Sequence, residues 1–484
     1  MLFTSPLFLF VFLPAFIAAY YLVPPSSHAR NYVALAGSVL FFAWGEPVFV
    51  FALMAFTYID YKVSLAVAPG STITPKHKKA ILAAAIVFDV AALIVSKYLN
   101  FIVAGVLAPL HIRLEVPSIP LLLGISFITF HRISYLVDSY KGRAVPPRNF
   151  FDCALYIFLF PQLIAGPIIR YHDIGNQIHQ RTHTPDGFLT GFFRFSIGLA
   201  KKLLIADPVG HVADKIFGFP AGEVSFIYAW GGIIAYTLQI YFDFSGYSDM
   251  AIGLGRMMGF RFPENFNRPY ISQSVTEFWR RWHISLSNWM RLYLYIPLGG
   301  NRISSARTYL NLWIVFLISG AWHGAAWNFI AWGAYYGFFL CIERAASLNA
   351  AFRIALPRAL RHILTMLIVI VGWVFFRSKS LDYAVTYLGV MFGFVTPSTG
   401  NLPPWGFVFG NRELATIVVA SILSFAVLPA WSPGRSLQAA WTETTAAQGI
   451  RTMGLQFVTS LLLVLLSVSA MVSSDYAPFL YFRF

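Results

Sequence analysis

Apolar stretches that approach the roughly 20 residues needed to cross the hydrocarbon core of a bilayer recur from one end of this chain to the other. Examples are residues 2–23, 80–95, 224–241, 414–430 and 455–472. An α-helix crosses lipid because it pairs its own backbone N–H and C=O groups. The pattern predicts an all-α, multi-pass integral membrane protein with about eleven transmembrane helices plus re-entrant or interfacial helices.

Charge supports the same conclusion. Only 11% of the 484 residues are charged, which is too few to cover a soluble globule of this size. The net charge is +15, but the basic residues form short clusters between apolar runs, such as Lys76, Lys78 and Lys79. Such clusters indicate cytoplasmic loops beside anionic membrane lipids, so nucleic acid is not an expected partner.

The early spans also predict an orientation. If residues 7–23 run inward, 32–44 outward and 48–61 inward, the Lys76 cluster is cytoplasmic and the N-terminus lies outside. The first segment has no basic leader, so we expect a retained helix rather than a cleaved signal peptide. No linker, charge block or repeat divides residues 1–484, which we therefore interpret as one membrane domain. Cys153 and Cys341 are far apart and support neither a disulfide framework nor a cysteine metal site.

The middle of the chain differs from both ends. From residue 165 to residue 300 the apolar runs are short, interrupted by Pro and Gly, and rich in polar side chains. At membrane depth, irregular backbone persists only where protein or a water-filled cavity shields it, so the functional cavity is expected here. The polar passage 241–252, which contains Asp243 and Asp249, predicts a bent or re-entrant element beside the site.

Residues 276–293 have the pattern of one amphipathic helix. Arg280, His283, Ser287 and Arg291 would share one face, with aromatic residues on the opposite face. Such a helix either anchors in the membrane interface or lines an aqueous cavity. In the second case Arg280, Arg281 or Arg291 is a candidate to bind phosphate, because guanidinium pairs bidentately with phosphate.

A second candidate segment is 320–329, Gly-Ala-Trp-His-Gly-Ala-Ala-Trp-Asn-Phe. The small residues allow another backbone or a substrate to approach closely. His323 suits acyl transfer because a neutral imidazole can take the proton of a hydroxyl as its oxygen attacks a carbonyl. The alternative, a neutral histidine bonded to a neighbouring helix, stays open. Trp322 and Asn328 beside it, together with Ser287 and Asp249, are candidate substrate contacts.

The remaining polar residues give weaker indications. Most other histidines lie in or beside polar connections, with His131 and His211 as minor candidates. His179 and His183 could form a zinc pair with Asp173 or Asp186, but the glutamate of a zinc-hydrolase helix is missing, and we predict no catalytic metal. For the carboxylates in or near apolar segments we expect pairing with a buried arginine rather than a place in the cavity. They are Asp60, Asp89, Asp138, Asp243 and Asp249.

Three passages, residues 242–270, 276–302 and 322–337, together resemble the membrane-bound O-acyltransferase family, in its bacterial polysaccharide-acetylating branch, through five signature segments. They are Ser-Gly-Tyr-Ser-Asp-Met-Ala-Ile-Gly at 245–253, Glu-Asn-Phe-Asn-Arg-Pro-Tyr at 264–270, Phe-Trp-Arg-Arg-Trp-His-Ile-Ser-Leu-Ser at 278–287, Tyr-Ile-Pro-Leu-Gly-Gly-Asn-Arg at 295–302 and Trp-His-Gly at 322–324. The branch is similar to the membrane subunit of alginate O-acetylation and, more distantly, to the membrane protein of teichoic-acid D-alanylation. The resemblance implies that His323 is the principal catalytic histidine and His283 the second, both lining a central channel.

The resemblance also implies the reaction. The donor would be a cytoplasmic acyl thioester, acetyl-CoA first, with no tightly bound cofactor, in a bacterial inner membrane. The final acceptor would be an exported polysaccharide, reached directly or through a secreted or membrane-tethered acetyltransferase partner. Leu292 stands where this branch often has aspartate, which leaves the role of that carboxylate open here. The rival interpretations are a transporter of an acyl or saccharide carrier that performs no chemistry, and an inactive scaffold.

Overall fold

The computed structural model describes residues 1–24, 27–112, 114, 116, 124–144, 147–348, 356–398, 402–425, 450–473 and 479. Within these residues every regular element is a helix, which confirms the all-α prediction. The α-helices, numbered in chain order, are α1 Leu13–Leu22, α2 Ser27–Gly45, α3 Phe49–Val67, α4 Pro75–Leu93, α5 Leu99–Phe101, α6 Ile125–Lys141, α7 Phe150–Phe158, α8 Phe160–Leu163, α9 Tyr171–His179, α10 Pro185–Ala200, α11 Asp207–Gly218, α12 Phe226–Met257, α13 Val275–Arg281, α14 Ile284–Met290, α15 Ser305–His323, α16 Trp327–Leu348, α17 Arg358–Arg377, α18 Leu381–Met391, α19 Trp405–Val408, α20 Asn411–Phe425 and α21 Ile450–Ser473.

Several of these helices continue into turns of wider or tighter winding. The π-helical segments are Phe8–Phe12, Ile94–Tyr98, Ile102–Leu107, Lys201–Ala206 and Arg291–Tyr295, and the 3₁₀ segments are Ala108–Leu110, Ala221–Glu223 and Pro269–Ile271. Single π turns often lie at functional positions in helices. One of them, Arg291–Tyr295, directly follows the candidate segment around His283.

Four helices of the described chain are long and apolar enough to cross a membrane: Phe49–Val67, Pro75–Leu110, Arg358–Arg377 and Met453–Ser473. A shorter apolar helix spans Phe8–Leu22. The stretches 80–95 and 455–472 fall inside two of the four, as the sequence predicts. Stretch 224–241 lies largely in α12, and the last five residues of stretch 414–430 lie outside the described residues. The chain is a polytopic membrane protein.

Backbone contacts divide the chain into two compact units. The first takes the described parts of residues 1–197, 247–263 and 449–460, and the second those of residues 198–246, 264–448 and 461–484. Helix α12 contributes its first part to the second unit and its last part to the first. The candidate histidines, His283 and His323, both belong to the second unit.

A buried ion cluster joins three helices of the first unit. Arg132 on α6 contacts Asp60 on α3 through Nε, at 2.5 Å from Oδ2, and Asp89 on α4 through Nη2, at 2.5 Å from Oδ1. All three side chains are at most 1% exposed. Asp138 on the same helix α6 contacts Nδ1 of His172 at 2.7 Å. The predicted pairing with a buried arginine is confirmed for Asp60 and Asp89, whereas the close partner of Asp138 is a histidine.

The passage 241–252 forms part of the uninterrupted helix α12, so the predicted bend or re-entrant element is wrong. Its acidic side chains are instead neutralised in place. In the second unit Asp243 lies 2.9 Å from Nζ of Lys202, and in the first unit Asp249 accepts a 2.7 Å hydrogen bond from Nε of Arg194. Because each carboxylate has a cation beside it, a continuous helix can carry both charges.

The histidine pair of the first unit does not share a helix face. His179 is the last residue of α9, and His183 lies beyond the helix, with Nε2 2.8 Å from the hydroxyl of Tyr20. Asp173 is held by two 2.8 Å hydrogen bonds from Arg170. Among the described residues no three His, Cys, Asp or Glu side chains converge as metal ligands would. The zinc alternative therefore has no geometric support.

Candidate functional site

Helices α15 and α16 form a hairpin whose backbones are in direct contact. A Cβ atom added at Gly320 would lie 2.3 Å from the carbonyl oxygen of Phe329, and one added at Gly333 would lie 2.4 Å from that of Phe316. These distances are shorter than any Cβ contact can be, so only glycine fits at either position. The expectation that small residues let another backbone approach is confirmed. His323 is the last residue of α15, at the turn of this hairpin.

His323 is enclosed by aromatic rings. Its imidazole centroid lies 4.8 Å from Trp322, 5.0 Å from Trp332 on α16 and 5.1 Å from Phe376 on α17, each in an edge-to-face arrangement. The residue is 6% exposed. Because its own helix ends there, the partial negative charge of the helix C-terminus stabilises the positive charge that a base acquires.

The predicted single helix over residues 276–293 is wrong, because the chain breaks at Trp282 and His283. Helix α13 ends at Arg281, Trp282 is extended, and His283 has a left-handed backbone with φ of 45° before α14 begins. This conformation costs about 1–3 kcal/mol in a residue other than glycine. As a result His283 is buried, whereas Arg280 and Arg291 are exposed and do not share a face with it.

Hydrogen bonds from a preceding segment stabilise the break. The backbone N–H of Ile284 donates to the carbonyl of Asn265 at 2.9 Å, and that of Asn267 donates to the carbonyl of Arg281 at 2.9 Å. The side-chain oxygen Oδ1 of Asn265 lies 3.1 Å from Nδ1 of His283 and accepts from both N and Oγ of Ser285, at 3.2 and 2.8 Å. Asn265 and Asn267 thus supply hydrogen bonds in place of helical ones lost at the break.

Aromatic packing fixes the same point of the chain. The ring of Trp282 stacks on Phe278 and Tyr270, with centroids 5.6 and 6.1 Å away, and it also contacts Trp373 on α17 at 4.9 Å. Rings of this size contribute both buried apolar area and specific geometry. The backbone therefore turns at Trp282 in one defined direction.

Glu343 on α16 stabilises the start of α13. Its carboxylate accepts hydrogen bonds from the backbone N–H groups of Val275 and Thr276 and from the Thr276 hydroxyl, at 2.5, 2.8 and 2.6 Å. A carboxylate at a helix N-terminus satisfies orphan donors and complements the helix dipole. The hairpin that carries His323 is thereby tied to the helix that leads to His283.

Trp322 brings the two histidines together. Its ring centroid lies 4.8 Å from that of His323 and 6.3 Å from that of His283. On α12, Phe244 packs edge-on against His283 at 4.7 Å. The sequence predicts both imidazoles as functional residues but not their distance, and the fold places them beside one tryptophan.

His283 is uncharged in this environment. It is 1% exposed and lies outside the four helices that are long enough to cross a membrane, and burial lowers its pKa to about 3. Its Nε2 atom is buried and has no hydrogen-bond partner among the described residues. A neutral imidazole with one open nitrogen has the form that a base requires.

The three arginines predicted to bind phosphate differ in their surroundings. Arg280 and Arg291 are exposed. Arg281 forms an ion pair with Glu277, with Nη2 2.9 Å from Oε1, and donates from Nη1 to the carbonyl of Asn267 at 3.1 Å. Arg280 and Arg291 are therefore better placed than Arg281 to meet a ligand from solvent.

The other predicted contact residues have structural partners. The hydroxyl of Ser287 donates to the carbonyl of Trp279 at 3.0 Å. The amide of Asn328 donates to the carbonyls of Phe375 and Ser378, at 3.1 and 2.9 Å. Asp249 belongs to the first unit and pairs there with Arg194, whereas Trp322 contacts both imidazoles as described.

Sequence reasoning does not single out four residues that form the surroundings of the histidines: Asn265, Phe244, Trp332 and Phe376. Asn265 and Phe244 stand in the polar middle segment, where a polar or aromatic residue has many alternatives. A buried amide that bonds a residue far along the chain leaves no periodic signal.

Comparison with known proteins agrees with these features. A model of MBOAT, the membrane-bound O-acyltransferase family, matches residues 116–385. The probable alginate O-acetylase of Azotobacter vinelandii is 40% identical over the full length of both chains. The peptidoglycan O-acetyltransferase of Helicobacter pylori is 35% identical over all of this chain and 98% of its own. The teichoic acid D-alanyltransferase of Bacillus subtilis is 29% identical over 44% of this chain and 56% of its own.

The match covers the segment that contains both histidines, the broken helix and the α15–α16 hairpin. Family membership and the relatives' names support the same activity, transfer of an acyl group to a hydroxyl. This chain belongs to the membrane-bound O-acyltransferase family and is an O-acyltransferase.

Proposed function

We propose that this protein transfers acetyl groups from acetyl-CoA at the cytoplasmic side of a bacterial inner membrane to hydroxyls of an exported polysaccharide. Two of the relatives are named as O-acetylating enzymes, one for alginate and one for peptidoglycan, and both match this chain from end to end. The observation that carries the proposal is the placement of His283 and His323 on one tryptophan, Trp322.

The chemistry is a thioester-to-ester exchange. The oxygen of the acceptor hydroxyl forms a bond to the acetyl carbonyl carbon, and the bond from that carbon to the sulfur of coenzyme A breaks. An imidazole takes the hydroxyl proton and returns it to the departing thiolate, so the products are an acetyl ester and free thiol. Proton transfer of this kind contributes about 10²–10⁴-fold to rate. His323 is the proposed principal base, with His283 as the second functional histidine.

Arg280 and Arg291 are the proposed contacts for the phosphates of the donor. Both are exposed cations on either side of the break at His283. Guanidinium forms bidentate, charge-assisted hydrogen bonds to phosphate. The orientation that we propose, with the N-terminus outside, follows from the positions of the early basic clusters. The cytoplasmic side of the donor follows from the chemistry proposed for it, a cytoplasmic thioester.

The immediate acceptor is part of the proposal. A periplasmic or membrane-tethered acetyltransferase partner would receive the acetyl group and complete its transfer to the polysaccharide. The partner requirement is independent of the chemistry at the histidines. An isolated chain that acetylates free polysaccharide at full rate contradicts this part alone.

The experiment supplies purified protein with radiolabelled acetyl-CoA, with and without membrane extract from its host. Wild type is compared with His323→Ala and His283→Ala at matched folding. The control is His77→Gln, an exposed histidine whose Nδ1 contacts Thr74 Oγ1 at 2.7 Å. We expect wild type and His77→Gln to release free coenzyme A and the two active-site variants to do so far more slowly.

Two other outcomes assign the protein differently. In the first, wild type binds the donor without cleaving the thioester, and neither histidine variant changes that binding. This result indicates transport of an acyl carrier. The second outcome is that folded wild type neither binds nor cleaves the donor, although membranes need the chain to acetylate the polysaccharide. That result indicates an inactive scaffold. Replacement of Leu292 by Asp then tests whether the carboxylate common in the related branch restores cleavage.

A further inference from the structure

The atom of Asn265 that contacts His283 is an oxygen. The backbone N–H of Ser285 donates to it at 3.2 Å, and a backbone N–H can only donate, so its partner must be an acceptor. The hydroxyl of Ser285 donates to the same atom at 2.8 Å. The side-chain amide of Asn265 therefore has one orientation, with Oδ1 toward His283.

This orientation determines the position of the proton on His283. Nδ1 lies 3.1 Å from Oδ1 of Asn265, and two atoms in hydrogen-bond contact cannot both be acceptors. Nδ1 must donate. The hydroxyl of Ser285 lies 3.5 Å from Nδ1, too far to compete as a donor when its 2.8 Å bond to Asn265 is made. A neutral imidazole has only one N–H group, so Nε2 carries none.

The backbone of Asn265 contributes to the same arrangement. Its carbonyl accepts from the N–H of Ile284 at 2.9 Å, directly after the left-handed residue His283. One residue thus holds the strained backbone through its carbonyl and the imidazole through its side chain. The ring can neither flip nor exchange its proton between nitrogens without breaking these contacts.

We infer that Asn265 is a positioning residue that keeps His283 protonated at Nδ1 and directs the unprotonated Nε2 to accept a proton from substrate. Nε2 is buried and has no partner among the described residues, so a bound hydroxyl or thiol completes its hydrogen bonding. When Nε2 takes the proton, the N–H at Nδ1 still donates to Asn265. The role in catalysis rests on the proposed function, whereas the assignment of the tautomer does not.

The tautomer is measured directly on the intact protein. Nitrogen NMR of protein with ¹⁵N-labelled histidine rings distinguishes a protonated from an unprotonated ring nitrogen, and the difference from His283→Gln assigns the signals. We expect His283 in wild type to show N–H at Nδ1 alone, and Asn265→Leu to lose this preference. Wild-type signals with the proton at Nε2 overturn the inference, whether or not the enzyme is active.

Kinetics test the positioning role. Asn265→Asp keeps an acceptor at the same place but adds a negative charge, which stabilises protonated His283 and raises its pKa. Since Nε2 of His283 accepts a proton only when it carries none, the contribution of His283 to the acidic limb of the pH–kcat profile moves to higher pH, by about one pH unit or more. The matched control is Asn267→Asp, the same change at an exposed asparagine two residues further on, which leaves the profile in place.

Combining substitutions at Asn265 and His283 distinguishes a positioning role of Asn265 from a role in folding alone. We expect Asn265→Leu to lower kcat at least tenfold with little change in KM, and to cause no further loss in a His283→Gln background. If Asn265→Leu does not fold, Asn265→Asp and the NMR measurement still decide the question. A profile of Asn265→Asp that coincides with that of Asn267→Asp overturns the positioning role.

Discussion

Arg132 and His283 are both 1% exposed, yet their polar atoms are satisfied to different degrees. Arg132 lies between two carboxylates on neighbouring helices, each within hydrogen-bond distance. His283 has a partner on Nδ1 but none on Nε2 among the described residues. A buried polar group is tolerated when it is bonded, and one left open requires an explanation such as a bound water, strain or a catalytic role. The ion cluster of Arg132, Asp60 and Asp89, the closed region, pairs its charges internally, whereas the open region of His283, His323 and Trp322 contains a buried nitrogen, Nε2 of His283, with no partner among the described residues.

The largest expected effect lies in the open region. His323→Ala should reduce kcat by about 10²–10⁴-fold, because the proposed general base is removed while its aromatic surroundings remain. The measurement is release of coenzyme A from acetyl-CoA by protein of matched thermal stability. His77→Gln serves as the control. Activity within threefold of wild type would remove His323 from the mechanism and leave His283 as the candidate base.

Substitutions in the closed region should instead lower the stability of the fold. Asp60→Leu leaves Arg132 with one of its two carboxylate partners, and breaking a buried pair costs about 3–5 kcal/mol. Thermal unfolding followed by tryptophan fluorescence in detergent should show a marked loss. The specific activity of the folded fraction should stay near wild type.

A matched variant sharpens the interpretation. Replacing Arg132, Asp60 and Asp89 together by apolar residues of similar volume removes all the charges at once, and such replacements are often neutral. The triple variant should therefore be more stable than Asp60→Leu alone. A triple variant that folds well but has lost acyl transfer would show that the ion cluster participates in function after all.

The sequence predicts structural features correctly where they depend on local patterns, and less well where they depend on contacts between residues distant in the chain. Apolar stretches and isolated carboxylates are local signals, so the helices at 80–95 and 455–472 and the pairing of Asp60 and Asp89 with a buried arginine are predicted correctly. Both predictions rest on a free-energy cost that applies to any chain in lipid: unpaired backbone groups and unpaired charges are unfavourable there.

The errors arise where distant contacts override a local pattern. Residues 276–293 keep helical periodicity through His283, but Asn265 and Trp373 lie far from it in sequence and impose a break. Residues 241–252 look too polar for a continuous helix because their cations, Lys202 and Arg194, come from other helices. The candidate histidines are identified from sequence, whereas the tryptophan that joins them requires the fold.

Trp322 provides a smaller test of the open region. Trp322→Leu removes the ring that contacts both imidazoles, and aromatic pairs contribute about 0.5–1.5 kcal/mol each beyond buried area. We expect roughly a tenfold loss of kcat, with Trp322→Phe intermediate because a smaller ring remains. Steady-state kinetics with acetyl-CoA provide the measurement. Equal activity of the Leu and Phe variants would mean that the ring fills space without orienting either histidine.

The smallest expected effect concerns the exposed arginines at the edge of the open region. Arg280→Gln and Arg291→Gln should each raise KM for acetyl-CoA a few-fold and leave kcat unchanged, because exposed charge pairs contribute up to about 1 kcal/mol. The control, Arg412→Gln, removes an equally exposed charge from α20 and should have no effect. Salt screens exposed charges, so the difference between wild type and the two variants should shrink as ionic strength rises. A KM that responds equally to all three substitutions would indicate a general effect of net charge on donor attraction, and a KM that responds to none would place the donor phosphates elsewhere on the protein.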